Sequence, residues 1–279
     1  MKTIIITWIQ EVLNSNSTRN MGFWGLGDLI RGVIKMFQLS KKMNFELIID
    51  IQHHPISNFL KKQSHNYESL ILENKNNIPF IYPGKVEEYI LANKNKDVLI
   101  FLTNDTFNEP ITEECKDFIK NLLTMNDEFN LYFQEKKKEI PFNIYNIFHF
   151  RLGDSELIEK KYKEKYDIEF SILNNYGIPL KEYNKKENCI VSIDKYEKNI
   201  ILMSDSFQFK NYVKEKYDIF MFDNNISHIG YDANLETIRE TLFEFFVITQ
   251  SQTIKSYSVY HWTSGFIKVA NDIYDVKII

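Results

Sequence analysis

Short runs of β-branched and aliphatic residues alternate along this chain with longer segments whose apolar residues recur at helical spacing. That rhythm restricts the fold more than any other feature. Residues 3–9, 45–51, 98–102 and 144–150 are the runs of the N-terminal part. They are apolar nearly throughout, as strands covered on both faces must be. Between them Leu29, Ile30, Val33, Ile34 and Phe37 line one face of a predicted helix, and Phe118, Ile119, Leu122 and Leu123 line another within 113–125. The rhythm resumes with strands predicted at 200–203, 218–222 and 253–257 and helices at 207–216, 235–249 and 265–274. In the second of these helices Leu235, Ile238, Leu242, Phe245 and Phe246 are expected to face inward. Strands separated by helices predict an α/β protein with parallel sheets.

Residues 156–198 break the pattern: they are rich in Lys, Glu, Tyr and Asn, with Gly177 and Pro179 as punctuation. They read as a crossover between an N-terminal domain, 1–155, and a C-terminal domain, 156–279. A length of 279 residues agrees, at roughly 150 residues per domain. The charge runs 135–139 and 159–165 mix both signs and are expected to be solvated helix faces.

Composition removes several functions. With 34 basic and 38 acidic residues the net charge is -4, so the chain lacks the basic excess of a nucleic-acid binder. With 22 Phe and 16 Tyr it has ample surface to bury and is not a disordered chain. Two cysteines, Cys115 and Cys189, cannot staple a secreted scaffold and suggest a reducing, cytoplasmic setting. The first apolar run is too short for a membrane span, so no integral membrane segment is expected.

Four segments carry polar groups where chemistry is possible. Gly22, Gly25, Gly27 and Gly32 are four of nine glycines. Three of them precede Asp28 and the first helix, where backbone can approach a ligand and a helix start favours anions. The segment is not a P-loop, since no Gly-Lys-Ser/Thr follows, nor a dinucleotide fingerprint, since Ile30 stands where a third glycine would fall. A tight turn without ligand is the competing reading. The second segment is His149-Phe150-Arg151-Leu152-Gly153-Asp154, at a strand's carboxyl end, where ligands of open α/β sheets bind. Alternation puts His149 and Arg151 on one side, and the guanidinium offers phosphate oxygens a planar fork of donors. Asp154 could hold that arginine or cap the next helix. The third is Ser204-Asp205-Ser206, again after a strand, where Asp205 could accept from a ribose or base or serve as a helix cap. The fourth runs from Ser256 to Phe266, where Ser258, Ser264 and Gly265 lie at a strand end and a helix start; plain capping by Ser264 is the alternative. Trp24, Tyr257, Tyr260 and Trp262 could stack on a glycan or pack in the core.

Other chemistries lack their residues. No Asp-x-Asp, CxxC or G-x-S-x-G occurs, so a metal–diphosphate clamp, a zinc knuckle and a serine-hydrolase elbow are not indicated. Asp50, His53 and His54 could ligate a metal, although adjacent histidines usually face different ways.

Taken in order, the glycine loop, H-F-R-L-G-D, M-S-D-S and S-Y-S-V-Y-H-W-T-S-G-F resemble the GDP-fucose-dependent fucosyltransferases of GT-B type. That group includes the α-1,2 and α-1,6 enzymes and the protein O-fucosyltransferases. The resemblance is spread over nearly the whole chain as short motifs, of which H-x-R-x-G-D is the most specific. It implies two Rossmann-like domains with parallel sheets facing across a cleft, an inverting glycosyltransferase, no required metal and no cofactor beyond a GDP-sugar donor. The partners implied are that nucleotide sugar and a glycan acceptor. The acceptor would belong to the N-terminal domain and the donor to the C-terminal one. Arg151 matches the family's β-phosphate-contacting arginine, with His149 beside it. Asp205 matches the carboxylate that contacts the nucleoside, and Ser264 a phosphate-contacting hydroxyl. Gly25, Leu26 and Gly27 would close over the sugar; Asp154, Ser206, Ser258 and Gly265 complete the expected donor set. Leu152 follows Arg151 where several members carry a second arginine. The catalytic set expected is Arg151, His149 and Asp28, the last two being alternatives for the general base. A different nucleotide sugar, or a non-catalytic carbohydrate-binding protein on the same fold, is the alternative.

Overall fold

A strand buried along its whole length anchors each of two parallel sheets. The computed structural model describes residues 2–9, 12–13, 20–21, 25–106, 109–151, 199–224, 226, 229, 234–258 and 263–279. The expectations for Gly22, Trp24, Asp154, Gly177, Pro179, Cys189, Tyr260 and Trp262, and for the side chains of Tyr257 and Ser258, lie outside what is described. The chain divides into two compact units, Met1–Gln134 with Ile229–Arg239, and Glu135–His228 with Glu240–Ile279.

In the first unit, β1 (Thr3–Thr7) has no exposed residue. A two-residue antiparallel pair, β2 (Val12–Leu13) and β3 (Asn20–Met21), follows. Helix α1 (Leu26–Met43) begins two residues before Asp28, with Gly25 as its N-cap. The predicted stripe is buried, from Leu29 at 0% exposure to Phe37 at 6%. Asp28 in the first turn and Lys41 and Lys42 in the last oppose the helix dipole, and Asn44 closes the helix in the left-handed conformation at φ 55°. Strands β4 (Glu46–Asp50) and β5 (Val98–Phe101) pair parallel on either side of β1, giving the order β4-β1-β5. Gly32 lets α1 lie against the exit of β5, for a Cβ there would stand 2.3 Å from the Thr103 carbonyl oxygen. The sequence shows no sustained period at α2 (Glu68–Asn74) and α3 (Val86–Ala92), both of 7 residues. Helix α4 (Glu113–Leu122) matches its stripe and buries Cys115, Ile119 and Leu122.

Helix α5 (Asp127–Lys137) carries the first charge run. Glu135 and Lys138 are solvated there, but Lys136 is not: its side chain is 16% exposed and ion-paired with Glu240. The expectation of a solvated face fails at that residue because Lys136 also donates to Asn224 Oδ1 at 2.6 Å.

The second sheet is wholly parallel. Its strands are β6 (Asn146–Arg151), β7 (Ile200–Ser204), β8 (Thr253–Ser258) and β9 (Lys277–Ile278), in the order β7-β6-β8-β9. On the β6 face opposite His149, Phe148 and Phe150 stack at 6.3 Å and are 1% and 0% exposed. Helices α6 (Phe207–Lys216), α7 (Leu235–Ile248) and α8 (Gly265–Tyr274) fall where helical spacing predicts them. Two expectations need correction. Residues 218–222 form no strand, only a parallel bridge from Phe220 to Ile201. Leu235 does not face inward: it opens α7 with 53% exposure, ahead of the buried Ile238, Leu242, Phe245 and Phe246, because one face of a helix's first turn overhangs the core it caps. Among the described residues no helix is long and apolar enough to cross a membrane. The fold is mixed α/β with parallel sheets, as the strand–helix alternation predicts.

Candidate functional site

The carboxyl edge of the second sheet gathers most of the described motif residues. Strand β6 lies between β7 and β8, with Arg151 its last residue, in register with Ser258. Phe150 pairs with Ser204, the last residue of β7. Ser204 is 1% exposed and locks this edge: its hydroxyl donates to the Phe150 carbonyl at 3.0 Å and accepts from the Ser206 amide at 3.2 Å. The turn so formed holds Asp205, whose Oδ2 accepts a hydrogen bond from Arg151 Nη1. The two side chains are 17% and 16% exposed. A guanidinium paired with a carboxylate has its direction fixed by the pair. Asp205 therefore holds the arginine; Asp154, the other carboxylate of the motif, lies outside the described residues.

His149 sits two residues back on the same face, 7% exposed. Burial, with the nearby Arg151 charge adding, pushes its imidazole from 6.5 down to about 3. The ring is neutral at any physiological pH. Its register neighbour on β8 is Ser256. Among the described residues, His149 Nδ1 and Ser256 Oγ are both buried without a hydrogen-bond partner. Buried polar atoms are nearly always bonded, so two unsatisfied atoms on adjacent strands beside Arg151 call for a polar group from elsewhere. Periodicity along one strand shows His149 and Arg151 together; only the β6–β8 register adds Ser256.

At the start of α8, Ser264 occupies the N-cap position, is 9% exposed, and makes no side-chain capping bond. Plain capping is thus not what its hydroxyl does. Gly265 is the first residue of the helix and exposed, leaving its turn open to an anion.

The first-unit candidates are separate features. Gly25, Leu26 and Gly27 form the entry to α1, with Gly25 at φ −59°, a conformation open to any residue. Asp28 pairs with Arg31 at 2.6 Å, and Arg31 Nε also donates to the Asn104 carbonyl at 2.9 Å. At the exit of β4, Asp50 is 2% exposed and accepts from Thr7 Oγ1 at 2.6 Å, while His54 is fully buried with Nδ1 accepting from the Ile56 amide at 3.3 Å. Among the described residues no cluster of three metal-ligating side chains occurs.

Two parallel α/β units, the second with Arg151 fixed at the carboxyl end of β6, match solved structures of GT-B fold. Solved structures that share the fold include three fucosyltransferases. The Bradyrhizobium NodZ α-1,6-fucosyltransferase soaked with GDP-fucose aligns over 98% of this chain and 92% of its own, with a TM-score of 0.54 at 13% identity. POFUT1 in complex with GDP aligns over 99% and 97%, at 0.51 and 9% identity. A variant of Arabidopsis thaliana FUT1 in complex with GDP aligns over 99% of this chain and 69% of its own, at 0.56 and 9% identity. No protein-family model matches the chain, and no curated protein sequence matches it.

Proposed function

We propose that this chain is an inverting glycosyltransferase that moves fucose from GDP-fucose to a glycan hydroxyl. The observation that carries the proposal is the Arg151–Asp205 pair at the carboxyl ends of adjacent strands, in a fold whose solved relatives were crystallised with GDP or GDP-fucose. The second unit takes the donor and the first the acceptor.

Displacement at the anomeric carbon of a nucleotide sugar breaks the bond to the diphosphate as the acceptor oxygen bonds. Charge grows on the departing diphosphate, and the acceptor hydroxyl must lose its proton. Arg151 and the start of α8, with Ser264 and Gly265, answer the first need through fixed donors. Asp205 positions Arg151 and is the candidate contact to the nucleoside; Ser206 follows in the same turn. His149 is unsuited to the second need, since a base near pH 3 takes up little proton at neutrality. Its place is that of a neutral hydrogen-bonding group, with Ser256 and Ser258 alongside. Asp28, tied to Arg31, is the candidate base of the first unit; Gly25, Leu26 and Gly27 precede it where backbone can approach a sugar, and Asp154 closes the donor motif in sequence. No step calls for a metal.

A donor-hydrolysis and transfer screen over GDP-, UDP- and ADP-linked sugars tests the reading. Turnover of GDP-fucose that falls with Arg151→Ala supports it. Turnover of another nucleotide sugar alone reassigns the donor, in keeping with Leu152 where relatives have a second arginine. Binding of glycans with no nucleotide binding at all overturns it in favour of a carbohydrate-binding scaffold.

A further inference from the structure

A cavity of about 590 Å³ opens beside the exit of β4, and every residue lining it belongs to the first unit. That volume lies in the range of small-molecule sites. Its walls are fixed by bonds of the fold itself. On one side Asp50 is anchored by Thr7, and its Oδ1 accepts from the Gln52 amide at 3.1 Å. Opposite, the chain from Phe59 to Lys61 is held on a neighbouring segment, with Lys61 N bonded to the Thr124 carbonyl at 2.8 Å and Asn126 N to that of Phe59 at 3.0 Å. Gln52 Nε2 spans the two, donating to the Gln63 carbonyl at 3.1 Å. The cavity is therefore formed before anything enters it.

The lining decides the class of ligand. Its apolar share is the aliphatic Ile49, Ile51 and Leu60; no Phe, Tyr or Trp lines it, and His53 supplies an imidazole that can both donate and accept. The rest is polar and of both signs. Asp50 and Glu68 only accept, Lys61 and Lys62 only donate, and the amides do both. Neither lysine side chain has a partner among the described residues. Asp50 keeps lone pairs beyond the two bonds it makes, its third neighbour being His65 Nε2 at 3.5 Å, too far for a good bond. A simple anion would meet two carboxylates here, and a simple cation two ammonium groups. Hydroxyl groups, each donor and acceptor at once, satisfy both kinds. We propose that this cavity binds a neutral saccharide and serves as the acceptor-glycan subsite of the first unit. The acceptor role rests on the glycosyltransferase reading; saccharide binding itself does not.

The test is an NMR amide titration of the full chain with lactose, cellobiose and mannobiose, beside glucuronate and inorganic phosphate. Saturable shifts confined to residues 50–63, Glu68 and Asn126, with the neutral sugars, are expected. Lys61→Met with Lys62→Met should weaken the response by about tenfold or more, the loss expected for charged hydrogen bonds. Gln63→Ala, whose side chain is not used in the fold, should weaken it without altering thermal unfolding. Response to glucuronate or phosphate alone, no response at all, or equal response in the variants would overturn the proposal. Donor turnover without any disaccharide response would sink the cavity site and leave the proposed function standing; the reverse pattern would do the opposite.

Discussion

Arg151 and Asp205 stand 54 residues apart in the chain and meet as an ion pair across the carboxyl ends of β6 and β7. Both are mostly shielded from water, so removing either takes a charged partner from the other. Arg151→Ala is expected to lower kcat/KM on the donor by about a hundredfold, near 3 kcal/mol for one fixed donor to a developing charge. Asp205→Asn should weaken nucleotide binding and cost less in kcat. The double variant should fall short of the sum, because the two act as a unit. Steady-state kinetics with calorimetric titration of GDP checks this; additive losses would separate the two roles.

Opposite slopes of stability against pH are expected from two buried groups. His149 is held near 3 rather than 6.5, so the unfolded chain binds its proton first and stability is lost as pH falls from about 6.5 toward 3. Glu244 is pushed up from 4.5 to about 7 by burial, against the pull of Lys210 and Lys136 and with Glu240 adding to the rise. Here the folded chain holds the proton more tightly, so stability is full below about 4.5 and declines as pH rises through 7. Glu244→Gln should raise the urea midpoint at pH 8, by up to roughly 3 kcal/mol in stability, and leave that at pH 4 unchanged. His149→Asn should flatten the acid limb instead.

Gly32→Ala reverses an ordinary rule. Alanine in a helix is favoured over glycine by about 1 kcal/mol, yet its methyl carbon would stand 2.3 Å from the Thr103 carbonyl oxygen. Neither backbone can yield cheaply, so a net loss of roughly 1–3 kcal/mol is expected. Chemical denaturation measures it directly.

Cys115 offers a probe of opening. It is fully buried in α4, and burial raises its thiol to about 12. In a Cys189→Ser background, labelling by an aromatic disulfide should be slow in native buffer and follow unfolding as urea is added. Rapid labelling without denaturant would place the thiol outside the core.

Strand identity was legible wherever the apolar run was long enough, as at β1 and β6, because full burial leaves its mark residue by residue. Partnership was not. That His149 neighbours Ser256, or that Asp205 pairs with Arg151, depends on which strands lie side by side, and no local pattern encodes that. The short α2 and α3 carry too few apolar repeats to register a period. Lys136 looked like one charge in a solvated run because its partners, Asn224 and Glu240, come from far along the chain. Asp50 and His53 mark one wall of the cavity beside β4 in the sequence, but its other walls come from separate segments that no local pattern joins.

The place of β6 in its sheet bears on how the chain is made. Its two flanking strands arrive late, β7 from Ile200 and β8 only by Ser258. A nascent chain halted before that point would present a hydrophobic ribbon with an unpaired backbone edge, the kind of surface that recruits other chains. Synthesis must therefore pass Ser258 before the second sheet can close, which makes its assembly slow by topology and dependent on whatever shelters the growing polypeptide meanwhile.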